Sequence, residues 1–491
     1  CYSLCCSHED PVALDYISSG ATVLVEEVMT MAELREDQKQ IAERIIELLK
    51  SHPIVGLQAP TGWGKSYVAS YVVKTLGGKW IWASSLLAAL AQSSKALSSF
   101  NIRYFMSTGK ERLCNMGYRH ADFVIRNPCL GCRFQANAQL RGFVDLFVDY
   151  TQIKEFAEEN GICGYYTQEK YIRMLLTNYN DIVILMNYAR IGKFARYVGN
   201  FIFDEVHNLY LPKITQVPRK AIEQLLDKLG VKGIDARNAE LIRAVLNEQL
   251  LQLLTIAAEE TNELISLDDV VSFIESHFTY YDPDEDMLTG IRIEGLPSDL
   301  RGRMVLMSAT LPPSMSSIPT VKVPPSSTVV MKVPKWSRAM TSEYVAQHDT
   351  ELSKKLGELL SDGTPTVIYT TSSKEISLDN VVYEDEMSQG DICRRNLMLR
   401  YFGRYSEGIR LGCYRRMVLI TIPLLPTTTL KRLSAKGISE VDLVTMKLTQ
   451  VIGRLLPQND GGHPEVIMLD KRIWKYCDLL MNYGIECVEV E

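Results

Sequence analysis

A glycine-rich loop in the first part of the chain has the residue types that bind nucleotide phosphates. Residues 59–66 read Ala-Pro-Thr-Gly-Trp-Gly-Lys-Ser, with an apolar run before them and a helical pattern from Tyr67. Backbone N–H groups of such a loop face the phosphates, the Lys65 ammonium reaches the β- and γ-phosphate oxygens, and the Ser66 hydroxyl ligates Mg²⁺. We therefore predict a site for ATP and Mg²⁺. Its loop residues are Thr61, Gly62, Gly64, Lys65 and Ser66.

A pair of acidic residues supplies the second half of this predicted site. Asp204 and Glu205 follow an apolar run at residues 201–203. Asp204 can hold the metal through water, and Glu205 can orient the attacking water. An acidic pair at a strand end is usually a solvated turn, but after a phosphate-binding loop it predicts hydrolysis of the nucleotide.

Four cysteines lie between the loop and the acidic pair, and their side chains could hold a metal. They are spaced C-x14-C-x2-C-x30-C. Four thiolates accept Zn²⁺ or a [4Fe–4S] cluster, and spacing alone favours zinc slightly. Ordinary buried thiols are the third interpretation. The four are Cys114, Cys129, Cys132 and Cys163.

Basic residues are concentrated beside these cysteines. Residues 110–141 hold six basic side chains against two acidic ones, whereas the whole chain has a net charge of −6. Such a patch can bind phosphates, although a solvated face is the alternative. The basic residues are Lys110, Arg112, Arg119, Arg126, Arg133 and Arg141.

The bulk composition describes an ordinary globular protein of more than one domain. The chain has 491 residues, of which 46% are hydrophobic and 23% charged. No apolar run reaches the length of about 18 residues that a membrane span needs. We expect a cytoplasmic protein without a membrane partner, in which the 11 cysteines are reduced thiols or metal ligands. The four at positions 393, 413, 477 and 487 are interpreted as ordinary thiols, and Cys1, Cys5, Cys6 and His8 as a weak metal-binding possibility.

The predicted elements alternate between strand and helix. Short apolar runs at residues 54–57, 80–83, 182–186, 201–203 and 305–307 predict buried parallel strands of a first lobe. A second lobe is predicted from runs at 366–369, 417–422 and 466–469, after a Pro- and Ser-rich passage, 312–334, that suits a linker. Residues 213–290 have a mainly helical pattern, with amphipathic helices at 221–229 and 239–254.

Several motifs occur together in the order that superfamily 2 helicases show. Residues 204–207, Asp-Glu-Val-His, resemble the DEAH box, and residues 308–311 resemble motif III. Arg35 and Gln38 resemble the R-x-x-Q element near the nucleotide base. Residues 403–409 resemble motif V, and residues 450–454, with Gln450 and Arg454, resemble motif VI. The set covers about residues 34–472 and is specific as an ordered series.

The four cysteines lie between the phosphate-binding loop and the DEAH-like box, an arrangement that resembles the cluster domain of the XPD/DinG group. The resemblance is therefore to this group within superfamily 2. This resemblance implies a [4Fe–4S] cluster on Cys114, Cys129, Cys132 and Cys163. It also implies single-stranded or forked DNA as partner and ATP-driven 5′→3′ movement in DNA repair. The catalytic residues would be Lys65, Asp204, Glu205 and Arg454. We expect a monomer, and the sequence names no protein partner.

The resemblance implies an α/β fold of two RecA-like motor domains, with an iron–sulfur insertion and a helical arch in the first. The predicted bounds are 31–105, 168–210 and 296–330 for motor domain 1 and its linker, 106–167 for the cluster domain, 211–295 for the arch and 331–491 for motor domain 2.

Two departures from the family pattern leave alternatives open. Pro457 stands where motif VI has its second arginine, so a catalytically weak DNA clamp of the same fold is the second hypothesis. Gly164 follows Cys163 where relatives have proline. A related protein with an added nuclease is the third hypothesis, although no acidic nuclease cluster is visible outside the lobes. Trp63 either packs near the nucleotide or shields the loop, and Asn187-Tyr188 is either a DNA-contacting position or a plain turn.

Overall fold

The computed structural model describes residues 33–491 apart from 61, 119–121, 124–127, 130–131, 135–146, 250–266, 284–285, 298, 313–314, 326–327, 372–375, 385, 388–390, 402–410, 436 and 456–463. Within the described part, no helix is long and apolar enough to cross a bilayer. The N-terminal residues Cys1, Cys5, Cys6 and His8, whose metal-binding role was an open expectation, lie outside the described residues.

The first lobe is a seven-stranded parallel sheet of strand order β10-β1-β9-β5-β2-β4-β3. Its strands are β1 (Ile54–Gln58), β2 (Lys79–Ser84), β3 (Tyr104–Met106), β4 (Ile182–Asn187), β5 (Asn200–Asp204), β9 (Arg303–Ser308) and β10 (Thr320–Lys322). Its helices are α1 (Glu36–Ser51), α2 (Lys65–Leu76), α3 (Leu87–Ser99), α4 (Lys110–Leu113), α5 (Tyr150–Glu159), α6 (Gly164–Asn178) and α7 (Ile191–Phe194).

The second lobe repeats this architecture, with strand order β13-β14-β12-β15-β16-β11-β17, again all parallel. Its strands are β11 (Val329–Pro334), β12 (Thr366–Thr370), β13 (Val381–Tyr383), β14 (Asn396–Arg400), β15 (Arg416–Leu419), β16 (Glu465–Met468) and β17 (Ile485–Val490). Its helices are α11 (Ser342–Gln347), α12 (Asp349–Leu360), α13 (Thr427–Ser434), α14 (Glu440–Leu455) and α15 (Cys477–Met481). The two-lobe α/β prediction is confirmed.

Each sheet is buried on both faces, which is why its strands are continuous apolar runs in sequence. In β2, Trp80 and Trp82 belong to one core cluster, whereas Ile81 and Ala83 belong to the cluster on the opposite face. All four are inaccessible to solvent. This alternation follows from the two-residue period of a strand. The result is a rigid sheet whose strand ends can carry polar side chains in fixed positions.

The expected linker at 312–334 contains two short strands, β10 and β11. β10 pairs with β1 at the edge of the first sheet, and β11 lies between β16 and β17 in the second. The chain therefore crosses between the lobes within residues 323–328. Proline and serine at both ends of these short strands produced the linker-like composition.

The expectation of a mainly helical block at 213–290 was incomplete. It contains helices α8 (Arg219–Lys228), α9 (Ala239–Glu248) and α10 (Leu267–Ile274), but also an antiparallel three-stranded sheet of order β6-β8-β7. The strands are β6 (Lys213–Pro218), β7 (Phe278–Asp282) and β8 (Met287–Arg292). β6 pairs with a strand that follows it by about seventy residues, and such distant pairing has no local sequence signature.

The inserted sheet packs against the second lobe. Ile291 of β8 shares an apolar cluster with Leu433 of α13 and Met446 of α14. At its rim the Arg432 guanidinium donates to the Thr279 carbonyl at 3.2 Å. The insertion thus spans the gap between the lobes and adds a second contact between them.

The interpretation of the last four cysteines as ordinary thiols was wrong. Cys393 and Cys413 form a disulfide with Cα atoms 5.6 Å apart, and Cys477 and Cys487 form another with Cα atoms 5.9 Å apart. Sequence spacing does not reveal that the turn before β14 lies beside the turn before β15, or that α15 lies beside β17. By contrast Cys114, Cys129, Cys132 and Cys163 are free thiols.

Candidate nucleotide site and cysteine-lined cavity

The phosphate-binding loop connects the end of β1 to the start of α2. Gly62 and Gly64 have positive φ values of 81° and 105°, a conformation that side chains with a Cβ disfavour. Lys65 is 7% exposed, and its Nζ donates to the carbonyls of Ala59 at 3.2 Å and Pro60 at 3.4 Å. The ammonium is therefore held within the loop, beside the N-terminus of α2. Thr61 lies outside the described residues, and Ser66 is half-buried in the first turn of α2.

Gln38 of α1 braces this loop from behind. Its Nε2 donates to the Trp63 carbonyl at 2.8 Å, and the Arg35 guanidinium donates to the same oxygen at 3.2 Å. A Cβ added at Gly64 would lie 2.4 Å from Gln38 Nε2, so only glycine allows this approach. Arg35 and Gln38 thus contact the backbone of the loop. The Trp63 ring packs against the first-lobe core.

Asp204 ends β5 at the same edge of the sheet and is 5% exposed. Its Oδ1 accepts from the Glu205 backbone N–H at 3.1 Å. The pKa of Asp204 is raised to about 7, first by burial and then by the Glu205 charge, while the Lys65 ammonium acts in the opposite direction. A buried carboxylate of this kind becomes stable as an anion when a cation lies beside it. The Asp204 carboxylate and the Ser66 hydroxyl are oxygen donors of the kind that Mg²⁺ prefers.

Glu205 adopts a left-handed backbone conformation, with φ 54° and ψ 47°. For a residue with a side chain this costs roughly 1–2 kcal/mol, and such strain is concentrated at functional sites. The conformation starts the short 3-10 helix Val206–Leu209 and turns the chain away from the sheet. His207 Nδ1 lies 3.4 Å from Glu205 Oε2, so the imidazole limits the positions of this carboxylate.

Motif III contacts both halves of the nucleotide site. Ser308 Oγ lies 2.6 Å from His207 Nδ1, and its carbonyl accepts from the Ala59 N–H at 3.1 Å. The same hydroxyl accepts from the Thr310 N–H at 3.0 Å. The residue that ends β9 therefore joins the phosphate-binding loop to the acidic motif.

The second lobe contributes helix α14, which carries Gln450 and Arg454. Gln450 Nε2 lies 3.5 Å from Asn208 Oδ1 in the first lobe. Arg454 is half-buried near Tyr369 of β12. Burial raises the pKa of Tyr369 to about 12, and the Arg454 guanidinium opposes that rise. Residues 403–409 and Pro457, on which the motif V and weak-turnover expectations depend, lie outside the described residues.

All four predicted cysteine ligands line one cavity, together with Tyr165, Tyr166 and Phe123. Burial raises the pKa of the Cys163 thiol, and the nearby Cys132 and Cys129 raise it further. The pKa of Tyr166 is raised by burial and by Cys129, with which it hydrogen-bonds. Among the described residues, however, no three or more histidine, cysteine, aspartate or glutamate side chains form a group placed to hold a metal ion. The donor set fits a thiolate-bound metal, and the cluster stays a prediction.

Gly164 explains the departure from proline after Cys163. A Cβ at this position would lie 2.9 Å from the Leu113 carbonyl oxygen. The Asn115 side chain ties the same two segments, since its Nδ2 donates to the Ile162 carbonyl at 2.9 Å. Glycine thus lets the segments of Cys114 and Cys163 approach closely.

The basic residues near the cavity are only partly described. The Lys110 ammonium lies 5.1 Å from the centroid of the Tyr165 ring, and the Arg133 guanidinium lies 4.7 Å from the Phe134 ring. Arg112 and Arg133 are exposed, as a phosphate-binding patch requires. Arg119, Arg126 and Arg141 lie outside the described residues.

Sequence reasoning missed a polar group beside the nucleotide site. Asn208 is 8% exposed, and its Nδ2 donates to Ser85 Oγ at 2.8 Å. Asn187 Nδ2 donates to the Ser85 carbonyl at 3.0 Å, and Asn187 Oδ1 accepts from the Ala189 N–H. Asn187 thus forms a turn, and Tyr188 is buried, with its hydroxyl donating to the Asp204 carbonyl. In the sequence, the only feature that draws attention to Asn208 is its position directly after His207.

Comparison with known proteins gives one sequence relative and close structural matches. No protein-family model matches the chain. Over 241 residues, 45% of this chain, it is 21% identical to the ATP-dependent DNA helicase XPD of Sulfolobus acidocaldarius. The match spans 41% of that relative's length.

The structural matches cover nearly the whole chain. A solved XPD helicase matches with a TM-score of 0.68 at 17% identity, covering 94% of this chain and 100% of that one. Xpd4 of S. tokodaii matches with a TM-score of 0.53 at 16% identity, covering 92% of this chain and 100% of that one. The chain therefore has the fold of the XPD-like superfamily 2 helicases.

Proposed function

We propose that the chain is an ATP-dependent DNA helicase that moves along single-stranded DNA. The observation that carries this proposal is the arrangement of Lys65, Asp204 and Glu205 at one sheet edge, with Gln450 of the second lobe in contact with Asn208 beside them. Hydrolysis at a site between two lobes couples opening and closing of the cleft to movement. The curated relative is named as an ATP-dependent DNA helicase.

In the proposed reaction, this chain's own groups bind and orient. The backbone N–H groups of the loop and the Lys65 ammonium would bind the phosphates, and Asp204 and Ser66 would hold Mg²⁺, which would neutralise phosphate charge. Glu205 orients the attacking water, and His207 restrains Glu205. In this proposal Arg454 of α14 would contact the phosphates when the cleft closes.

The test is ATP turnover by the purified chain with and without single-stranded DNA. A helicase should hydrolyse ATP faster when DNA is present and should separate a forked duplex. The 5′→3′ polarity and a role in DNA repair follow from the family resemblance. Polarity is tested with duplexes that carry either a 5′ or a 3′ single-stranded tail; unwinding of only the 3′-tailed duplex would reverse the assignment.

A catalytically weak DNA clamp is the second candidate, because Pro457 replaces the second motif VI arginine. An arginine at the transition state can contribute about 10³ to 10⁵ in rate. A clamp would bind ATP and DNA with little turnover in any condition. The same ATPase measurement distinguishes the two candidates.

We also propose that Cys114, Cys129, Cys132 and Cys163 bind a [4Fe–4S] cluster. Its support is that the four free thiols line one cavity while the four described cysteines of the second lobe are paired. When bound, the cluster would hold the inserted segment in shape; zinc is the alternative that elemental analysis distinguishes.

A further inference from the structure

Ser85 lies at the edge of the first sheet that carries the candidate nucleotide site. It lies between the strands that carry this site and the remaining strands of the sheet. Because all seven strands are parallel, their carboxyl ends share one edge of the sheet, where α/β proteins bind ligands. β1, β9 and β5 carry the nucleotide site there. β2 and β4, next along the edge, end at Ser84 and Asn187, and β3 leads into the cysteine-bearing segment.

Ser85 is held from both of its neighbouring strands. Asn187, at the end of β4, donates to its carbonyl at 3.0 Å, and Asn208, after β5, donates to its hydroxyl at 2.8 Å. These bonds join residues separated by more than a hundred positions. A displacement of the β2 and β4 ends is therefore transmitted to Asn208.

Asn208 is in turn connected to the groups that act on the nucleotide. Its backbone N–H donates to the Glu205 carbonyl at 3.0 Å, within the 3-10 helix that the left-handed Glu205 begins. Its Oδ1 lies 3.5 Å from Gln450 Nε2 of the second lobe. Gln450 Oε1 is buried and has no hydrogen-bond partner among the described residues. A small rotation of α14 would therefore be enough to change this contact.

We propose that Asn208 is a positioning residue that couples DNA on the β2 and β4 ends to ATP hydrolysis. DNA that displaces Ser85 would shift Asn208, and Asn208 would shift both the Glu205 backbone and the Gln450 contact. The residue touches neither substrate and acts through these neighbours. This inference rests on the proposed function, because it requires hydrolysis that DNA stimulates.

The test compares Asn208→Ala, Ser85→Ala and the double variant in the full-length chain. Basal kcat and the KM for ATP should stay within about twofold of the unmodified chain, whereas maximal stimulation by oligothymidylate should fall by about tenfold, a usual size for coupling between sites. The double variant should lose no more than Asn208→Ala alone, because the Ser85 change removes a bond that Asn208→Ala has already removed.

Two further variants separate coupling from structural damage. Ser85→Thr keeps the hydroxyl and should restore stimulation. Asn160→Ala removes an exposed asparagine whose side chain donates only to the Phe156 carbonyl, and stimulation should be unchanged. Thermal unfolding of every variant checks its fold.

The outcomes distinguish the inference from the function on which it rests. If the unmodified chain is not stimulated by DNA, the proposed function fails and the inference falls with it. If the unmodified chain is stimulated and Asn208→Ala is stimulated equally, the inference alone is wrong. It is also wrong if Asn208→Ala lowers basal and stimulated hydrolysis by the same factor.

Discussion

His207 Nδ1 lies 2.6 Å from Ser308 Oγ, so the acidic motif and motif III share a buried hydrogen bond across 101 positions of sequence. The same serine accepts from the phosphate-binding loop through its carbonyl, and the same histidine lies 3.4 Å from the Glu205 carboxylate. The loop, the Glu205 carboxylate and residues 308–311 therefore form one connected unit. A change at any of them is expected to alter hydrolysis more than folding.

Lys65→Ala and Glu205→Gln should both abolish ATP turnover but differ in ATP binding. In the proposed site the first removes the ammonium that would contact the phosphates, whereas the second removes only the carboxylate that would orient water. We expect a loss of at least about 10²-fold in kcat for both, comparable to the loss of one electrostatic contact in other enzymes. Fluorescent ATP analogues should bind weakly only to Lys65→Ala. Undiminished hydrolysis in Lys65→Ala would exclude the assigned site.

Gly64→Ala should weaken ATP binding. An alanine must adopt φ near 105° there, and its Cβ would lie 2.4 Å from Gln38 Nε2. The left-handed region costs a residue with a Cβ roughly 1–2 kcal/mol, and the Gln38 brace on Trp63 would be lost in addition. The measurement is the Kd of an ATP analogue together with the unfolding temperature.

Gly357→Ala is the matched control. Gly357 lies within α12, and a Cβ there meets no atom within 4 Å. Alanine should stabilise this helix by up to about 1 kcal/mol through its higher propensity and leave ATP binding unchanged. Normal ATP binding by Gly64→Ala would show that the loop conformation is not the one that binds phosphate.

The strands, and the connection from β1 into α2 at residues 59–66, could be predicted because their determinants are local. Apolar runs such as that of β1 fix the buried strands, and the sequence of residues 59–66 fixes the loop. The contacts of Asn208 could not be predicted, since its partners Ser85 and Gln450 are 123 and 242 positions away. The inserted sheet and the disulfides were missed for the same reason: each depends on tertiary proximity, which composition and periodicity do not contain.

Removal of either disulfide should destabilise the second lobe. The Cys393–Cys413 bond closes a loop of sequence separation 20, and the Cys477–Cys487 bond closes one of separation 10. In the chain-entropy model, loops of this size contribute about 3 kcal/mol, slightly more for the longer one. Denaturant unfolding of Cys393→Ser/Cys413→Ser should show this loss, and a reductant should reproduce it in the unmodified chain.

Peptide mapping without reductant gives an independent check of these bonds. Linked peptides should be recovered for both pairs, while Cys114, Cys129, Cys132 and Cys163 should react with alkylating agents once any metal is removed. Alkylation of Cys393, Cys413, Cys477 and Cys487 without prior reduction would refute both disulfides.

Protein purified without oxygen should be brown and contain about four iron atoms per chain, as a four-thiolate cluster requires. Cys129→Ser should lose both the colour and the iron, because Cys129 lines the same cavity as Cys114, Cys132 and Cys163. The inserted segment of roughly sixty residues can build only a small core of its own, so we expect the metal to order it, whereas the lobes keep their own cores. Cys129→Ser should therefore retain basal ATP hydrolysis and lose strand separation.

Cys413→Ser provides the control for this last variant, since Cys413 lies in the second lobe and pairs with Cys393. Cys413→Ser should keep its iron. The loss of iron from Cys129→Ser would then be due to the position of Cys129 and not to the removal of a cysteine as such. If the oxygen-free preparation contains stoichiometric zinc and no iron, the four cysteines form a zinc site and the cluster assignment is wrong. The nucleotide site would be unaffected by that result, because Lys65, Asp204 and Glu205 are positioned by β1 and β5 and take no ligand from the cavity.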